Sequence, residues 1–154
     1  TFGLHHDDTT TQGYYGGHGS GAMTWGPIMG APYNQNICQW CKGDYTNANQ
    51  HQDDLIQIGS SVARRVDDHA PDSVQATPLV IGTGGTVSNN GVIASPEDVD
   101  AFTFTTGGGN LNLQCNGAVN SPNLDIEAKL YNSSGTLVAT ASPANPSPDC
   151  TVSP

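Results

Sequence analysis

The sequence predicts an α+β segment of loops and one helix, followed by an antiparallel β-sandwich. Apolar residues recur at spacings of three and four over residues 46–66, which is typical of a helix, and short runs after residue 75 alternate between apolar and polar positions. An acidic, proline-bearing stretch separates the two patterns. We therefore divide the chain into a first domain over residues 1–66, a linker over 67–74 and a second domain over 75–154.

The charge of the chain is acidic and unevenly distributed. The 154 residues carry 14 Asp and Glu against 4 Lys and Arg, a net charge of −10. Nucleic-acid binding draws on clusters of Lys and Arg, which this composition lacks, so we exclude that class of function. Abundant Gly and Pro indicate a loop-rich, β-rich secreted chain, and no run approaches the roughly 18 apolar residues of a membrane span.

The predicted helix over residues 46–66 carries one apolar face, formed by Leu55, Ile58, Val62 and Val66. Acidic residues lie towards its N-terminal side and basic residues towards its C-terminal end, the order that the helix dipole favours. Gly59 could end the helix early. We expect this helix to close the first domain without chemistry of its own.

A tight turn is predicted at residues 26–30, after a glycine-rich stretch that we expect to form an ordered loop. Gly and Pro flank Ile28 and Met29, so the turn presents two apolar side chains.

The four cysteines form two candidate pairs. Cys38 and Cys41 have the C-x-x-C spacing, which leaves two interpretations open: a short-loop disulfide or two unpaired thiols. Cys115 and Cys150 are candidates for a disulfide that encloses about 35 residues and contributes roughly 3 to 4 kcal/mol. Disulfides of this kind fit an extracellular protein.

The second half contains short runs of strand character separated by turn signals. The alternation of Phe102 and Phe104 with Thr, and of Leu111 and Leu113 with Asn, predicts strands that bury one face, as in an antiparallel sandwich. The predicted strands span residues 75–81, 91–94, 100–105, 111–115, 125–131 and 137–141.

The opening residues carry a family resemblance. Gly3-x-x-His6-Asp7, followed by the turn with Met29, resembles a metzincin zinc metalloprotease of the adamalysin (reprolysin) branch, in its secreted bacterial form. The resemblance implies that His6 is the third zinc ligand, that Gly3 breaks the helix before it, and that Met29 lies beneath the zinc-bound imidazoles. Asp7 would support the site through a hydrogen bond to the backbone near the Met-turn. Ala31 stands where astacins and serralysins have a Tyr, so we expect no Tyr ligand.

This resemblance implies a zinc endopeptidase that hydrolyses peptide bonds with a metal-activated water. It places the H-E-x-x-H segment, with two His ligands and the general-base Glu, upstream of residue 1. No catalytic residue is therefore expected within this chain, which should be inactive alone. We expect Zn²⁺ as cofactor, a protein or peptide as substrate, no nucleic-acid or membrane partner, and a secreted monomer.

Residues 91–104 and 124–139 resemble the pre-peptidase C-terminal domain, a small β-sandwich appended to many secreted bacterial proteases. The closing strand expected of that family does not occur before Pro154. We therefore expect the chain to be a fragment truncated at both ends, in which residues 1–66 are the C-terminal part of the catalytic domain.

Asp98 and Asp100, together with Asp67, Asp68 and Asp72, could supply oxygen ligands to Ca²⁺. Alternatively, these residues cap turns or solvate a strand edge. A second class of function also fits the sequence: a non-catalytic extracellular binding or adhesion module carried by the β-sandwich. The residues encoded immediately upstream of Thr1 distinguish this module from a protease.

Overall fold

The computed structural model describes residues 2–120, 122–142 and 149–152. Within these residues the chain is β-rich, with one short α-helix and eight short strands paired two by two. The elements are β1 (Trp25–Pro27), β2 (Ile37–Gln39), α1 (Asp54–Gly59), β3 (Thr77–Pro78), β4 (Phe102–Thr103), β5 (Leu113–Asn116), β6 (Ala128–Tyr131), β7 (Leu137–Ala141) and β8 (Asp149–Val152). A single 3-10 turn (Gly21–Met23) precedes β1.

The chain forms two compact units. The first unit combines Thr1–Val62 with Asn110–Pro154, and the second is Ala63–Gly109. The first break lies close to the predicted boundary after residue 66. The grouping of Asn110–Pro154 with the start of the chain differs from the single domain predicted over residues 75–154.

Asn123 links the two stretches of the first unit. Its side chain accepts a hydrogen bond from Cys38 N–H (3.2 Å) and donates one to the Cys38 carbonyl (2.8 Å). Gln39 Nε2 donates to the Asn123 carbonyl at 2.9 Å. These bonds span 84 or 85 residues of sequence, so no local pattern could have predicted them.

The first sheet pairs β1 and β2 in parallel, with Trp25 opposite Ile37. Trp25 Nε1 donates to Gln39 Oε1 at 2.8 Å, which ties the side chains of the two strands together. The rings of Tyr15 and Tyr45 stack with centroids 4.3 Å apart, and the Tyr45 ring also lies 6.3 Å from that of Trp25. Ile37 and Tyr45 are among the few buried apolar side chains, so the hydrophobic core of this unit is small.

Helix α1 is much shorter than predicted. Asp53 caps its N-terminus by accepting a hydrogen bond from Ile56 N–H at 2.9 Å, and the helix ends at Gly59, the residue that could end it early. The predicted continuation to residue 66 is wrong. Val62 and Val66 are 48% and 85% exposed, so the later part of the apolar face gains little burial to hold it helical.

Strands β3 to β6 overlap their predicted ranges but are shorter, β7 matches its predicted range, and β8 lies where no strand was predicted. Strands β6 and β7 form an antiparallel hairpin, and β5 pairs antiparallel with β8, which the sequence did not predict. The Asn132 side chain closes the hairpin turn by accepting from Ser134 and Thr136 N–H. The β3–β4 pair is parallel, and the predicted strand at residues 91–94 does not form, so antiparallel pairing is confirmed for two sheets only.

No described helix is long and apolar enough to cross a membrane.

Candidate metal centre

Glutamine side chains position the opening segment. His5 N–H donates to Gln52 Oε1 at 2.8 Å, and Gln52 Nε2 donates back to the Gly3 carbonyl at 3.1 Å. Gln57, on α1, donates from Nε2 to the carbonyl that precedes Gly3 at 2.7 Å. The sequence analysis missed both glutamines, because polar residues beside a short helix carry no signal of what they bind.

Gly3 has a φ of +71°, in the left-handed region that side chains other than glycine rarely adopt. A Cβ at this position would also lie 3.1 Å from Gln57 Nε2. A left-handed residue at Gly3 is compatible with the predicted helix break at this position.

His6 is exposed and lies against the ring of Tyr14, with centroids 4.7 Å apart. Within residues 2–120, 122–142 and 149–152, its imidazole makes no hydrogen bond and belongs to neither group of three potential metal ligands. The imidazole is thus available to bind a metal ion. The described residues bring no second ligand to it.

The predicted turn forms and lies next to Asp7. Gly30 N–H donates to the Pro27 carbonyl at 3.0 Å, which closes the turn, and Asp7 N–H donates to the Met29 carbonyl at 3.0 Å. Asp7 therefore contacts the turn through its backbone, whereas its carboxylate binds elsewhere. Met29 is half-buried.

The carboxylate of Asp7 lies in a buried cluster with Cys41 and Asp54. One ligand atom from each residue lies within 4.8 Å of the other two, and the two carboxylates are 0% exposed. Cys41 Sγ donates to Asp7 Oδ1 at 3.1 Å, and Cys41 N–H donates to Asp54 Oδ2 at 3.2 Å. Gln50 Nε2 also donates to Asp7 Oδ1. The structure thus brings together three residues with different predicted roles. Asp7 was predicted to support the zinc site, Cys41 was a candidate for a disulfide or an unpaired thiol, and Asp54 was assigned only to the start of a helix.

Burial controls the ionisation of this cluster. It raises the pKa of the Cys41 thiol to about 12, with smaller contributions from Asp7 and Asp54. Burial also raises the pKa of Asp54; the hydrogen bond from Cys41 N–H opposes this shift, and the charge of Asp7 adds to it. At neutral pH without a bound cation, the thiol is therefore protonated.

A second acidic group lies in the second unit. Carboxylate oxygens of Asp67, Asp68 and Asp100 lie within 4.8 Å of one another, as the calcium hypothesis requires. Asp98, the other residue of the calcium hypothesis, is not part of this group, and its Oδ2 accepts a hydrogen bond from Ala94 N–H at 2.6 Å. Asp72 is also engaged elsewhere, where its Oδ1 accepts from two backbone N–H groups in a turn. Burial raises the pKa of Asp100, and His69 opposes this shift.

The cysteines of the first pair are free thiols. Cys38 Sγ faces the Pro32 carbonyl at 3.8 Å, whereas Cys41 Sγ faces Asp7, so the structure has the two unpaired thiols and no Cys38–Cys41 disulfide. Cys115 forms no disulfide with any cysteine whose side chain is described, and its backbone pairs directly with that of Cys150. The side chain of Cys150 lies outside the described part of the chain, so the Cys115–Cys150 disulfide stays a prediction.

Comparison of the chain with protein-family models, with curated proteins and with solved structures gave no match.

Proposed function

We propose that the chain is part of a secreted zinc-dependent endopeptidase, with His6 as one of three histidine ligands to the metal. The observation that carries the proposal is the hydrogen bond between Asp7 N–H and the Met29 carbonyl. It joins the residue directly after His6 to a tight turn with a half-buried Met, the juxtaposition that the metzincin resemblance requires. The remaining histidines and the general-base Glu would lie upstream of residue 1.

The residues around His6 fit a ligand of this kind. Its imidazole is exposed and free of hydrogen bonds within the described chain, so a metal ion would displace no hydrogen bond. The backbone before it is held by Gln52, and the backbone after it is held by Met29. A ligand fixed from both sides loses little conformational entropy on binding, which favours metal affinity.

Bound Zn²⁺ would lower the pKa of its water towards neutrality and polarise the scissile carbonyl. This chain would contribute the position of His6 and part of the cleft wall. Residues 13–33 follow the predicted ligand and expose Tyr14 and Tyr33, which are 54% and 89% accessible. Exposed aromatic side chains of this kind would contact the departing part of a peptide substrate.

The β-rich second half would contribute secretion, stability or attachment to substrate, as the pre-peptidase C-terminal resemblance implies. Alternating burial along β5 and β6 supports strands with one packed face, the building block of such a sandwich.

The first test is the sequence encoded immediately upstream of Thr1. Without H-E-x-x-H in register with Gly3 and His6, the protease proposal is lost. In the longer protein, we expect His6→Ala to lose one zinc ion per chain and the peptidase activity. His5→Ala is the matched control and should keep both; an unchanged zinc content in His6→Ala would remove His6 from the site.

Calcium binding is one of the two interpretations of the acidic residues that the sequence leaves open, and its geometric support is the group of Asp67, Asp68 and Asp100 in the second unit. Added Ca²⁺ should raise the thermal midpoint of the wild-type chain and of Asp98→Asn, but not that of Asp100→Asn. An equal response in the two variants would argue against this location.

One observation favours the alternative, a non-catalytic extracellular binding module. In the second unit, Val74 and Val80 are 89% and 86% exposed, and exposed apolar side chains can serve as contact points for a polymer surface. Retention of the chain on insoluble cell-wall polymer, lost when both valines are replaced by Ser, would support this reading. Equal retention of the variant would exclude these valines as the contact.

A further inference from the structure

We propose that Asp7, Cys41 and Asp54 form a second metal site, buried in the first unit and separate from His6, which holds a divalent ion of the zinc class. This site differs in chemistry and in place from the one implied by the protease motif. The site is closed, and all three of its ligands belong to the described part of the chain. A bound ion would stabilise the fold.

The three residues come from distant parts of the sequence and converge on one point. Asp7 belongs to the opening segment, Cys41 follows β2, and Asp54 begins α1. Ligand atoms from all three lie within 4.8 Å of one another, a distance that one ion can bridge. Closed sites of this kind are typical of structural zinc, whose ligands leave no position open to solvent.

Unpartnered oxygens point to a missing positive charge. Among the described residues, Asp7 Oδ2 and Asp54 Oδ1 have no hydrogen-bond partner, and both residues are fully buried, at 0% exposure. The groups that contact these carboxylates, an amide, a thiol and a backbone N–H, are all neutral donors. In the described chain, the ion pairs lie elsewhere and none reaches Asp7 or Asp54.

Two buried carboxylates that face each other without a cation are destabilised by desolvation and by mutual repulsion. Proteins meet this cost by pairing the charge or by coordinating a metal. A divalent ion would neutralise both carboxylates and occupy the two orphaned oxygens.

The thiol selects the class of ion. Ca²⁺ binds roughly six to eight oxygen ligands and has little affinity for thiolate. Zn²⁺ binds thiolate and carboxylate ligands in the same site. On binding, the S–H bond of Cys41 breaks, an Sγ–metal bond forms, and the proton leaves to solvent. The site then holds three anionic ligands, and a nearby side-chain amide oxygen would complete the closed, four-coordinate arrangement.

Cobalt substitution tests the site directly, because Co²⁺ replaces zinc and shows a thiolate-to-metal charge-transfer band. The full chain is unfolded in chelator, refolded with Co²⁺, and its absorption is recorded. We expect one Co²⁺ per chain with a thiolate band in the wild type. Cys38→Ser and Cys115→Ser, which remove other thiols, should keep the band, and Cys41→Ser should lose it.

Two further variants keep the test decisive if Cys41→Ser does not fold. Asp54→Asn should weaken Co²⁺ binding by roughly 100-fold or more, since even changes outside the ligand shell cost about 10–100-fold. Asp53→Asn removes the same charge one residue away, keeps the helix cap and should bind normally. His6→Ala should also keep the band, which separates this site from the protease proposal. Absence of a thiolate band in the wild type, or its persistence in Cys41→Ser, would overturn the inference.

Discussion

The substitution Asp54→Asn should have opposite consequences with and without metal. The carboxylate of Asp54 accepts a hydrogen bond from Cys41 N–H through Oδ2, and its Oδ1 is buried without a partner. An amide can keep the first contact and place its NH₂ group where the unpartnered oxygen lies. In chelator, the variant therefore lacks the buried negative charge of Asp54 and keeps an oxygen that accepts from Cys41 N–H. It also gains an NH₂ donor beside the carboxylate of Asp7.

The expected gain in chelator at neutral pH is about 1–3 kcal/mol in the free energy of unfolding, the usual range for a buried hydrogen bond to a charged group. For a chain of this size, each kcal/mol corresponds to roughly 2–4 °C in the thermal midpoint. Zinc at 100 times its dissociation constant would stabilise the wild type by about 2.7 kcal/mol. The variant binds more weakly and gains less, so zinc should cancel or reverse its advantage.

The pH dependence has a defined sign. Burial raises the pKa of Asp54 above its unfolded value, so its contribution to stability is fully present below the unfolded pKa of about 3.9 and is lost as pH rises through the folded pKa. In chelator, the wild type should therefore lose stability relative to Asp54→Asn across this window. The two proteins should converge at acid pH, where both are neutral at this position.

Urea unfolding followed by tryptophan fluorescence measures these differences, since Trp25 and Trp40 both lie in the first unit. The matched control is Asp53→Asn, which keeps the cap and should respond to zinc like the wild type. Two outcomes would contradict a metal-linked carboxylate at Asp54: a variant less stable than the wild type in chelator by more than about 1 kcal/mol, or equal stabilisation of both proteins by zinc.

Three other predictions follow from single contacts. Asn123→Ala should lower the free energy of unfolding by about 1–2 kcal/mol, because it removes two hydrogen bonds to the Cys38 backbone; an unchanged urea midpoint would contradict this. Gly91→Ala should destabilise the chain by about 1–3 kcal/mol, because its Cβ would overlap Asp100 Oδ2. Gly107→Ala, whose Cβ meets open space, is the control in the same thermal unfolding experiment, and equal midpoints would refute the overlap. Burial also raises the pKa of Asp100, so the wild type should lose stability as the pH rises from about 4, and Asp100→Asn should lose less. If the free energy of unfolding changes with pH by the same amount in both proteins between acid and neutral pH, the folded-state pKa of this carboxyl is not raised.

Local patterns predicted those elements whose cause is local. The alternation in the second half located β5, β6 and β7, and the Asn-Ser-Ser-Gly stretch at residues 132–135 located the hairpin turn, where Gly135 has a φ of +77°. The tight turn around Met29 followed from Gly and Pro in the same way. In each case, the residues that determine the conformation are the residues that adopt it.

Features that depend on distant contacts could not be predicted. The parallel pairing of β1 with β2 leaves no trace in either short segment. The sequence predicts the same role for Asp53 and Asp54, an acidic side chain near the start of a helix. In the structure, Asp53 caps α1, whereas Asp54 is fully buried against Cys41. The difference arises from a rotation of one residue around the helix axis, and only the position of the Cys41 segment decides which side chain faces inward.

The hydrogen bonds between Asn123 and Cys38 predict how the chain behaves when it is cut by a protease. Because the first unit comprises both Thr1–Val62 and Asn110–Pro154, a protease that cuts inside Ala63–Gly109 severs the covalent path between them without removing their contact. Nicked protein should then separate into two pieces in denaturant and migrate as one particle in native buffer. The same geometry makes the two stretches candidates for a split reporter, reassembled from separately expressed halves.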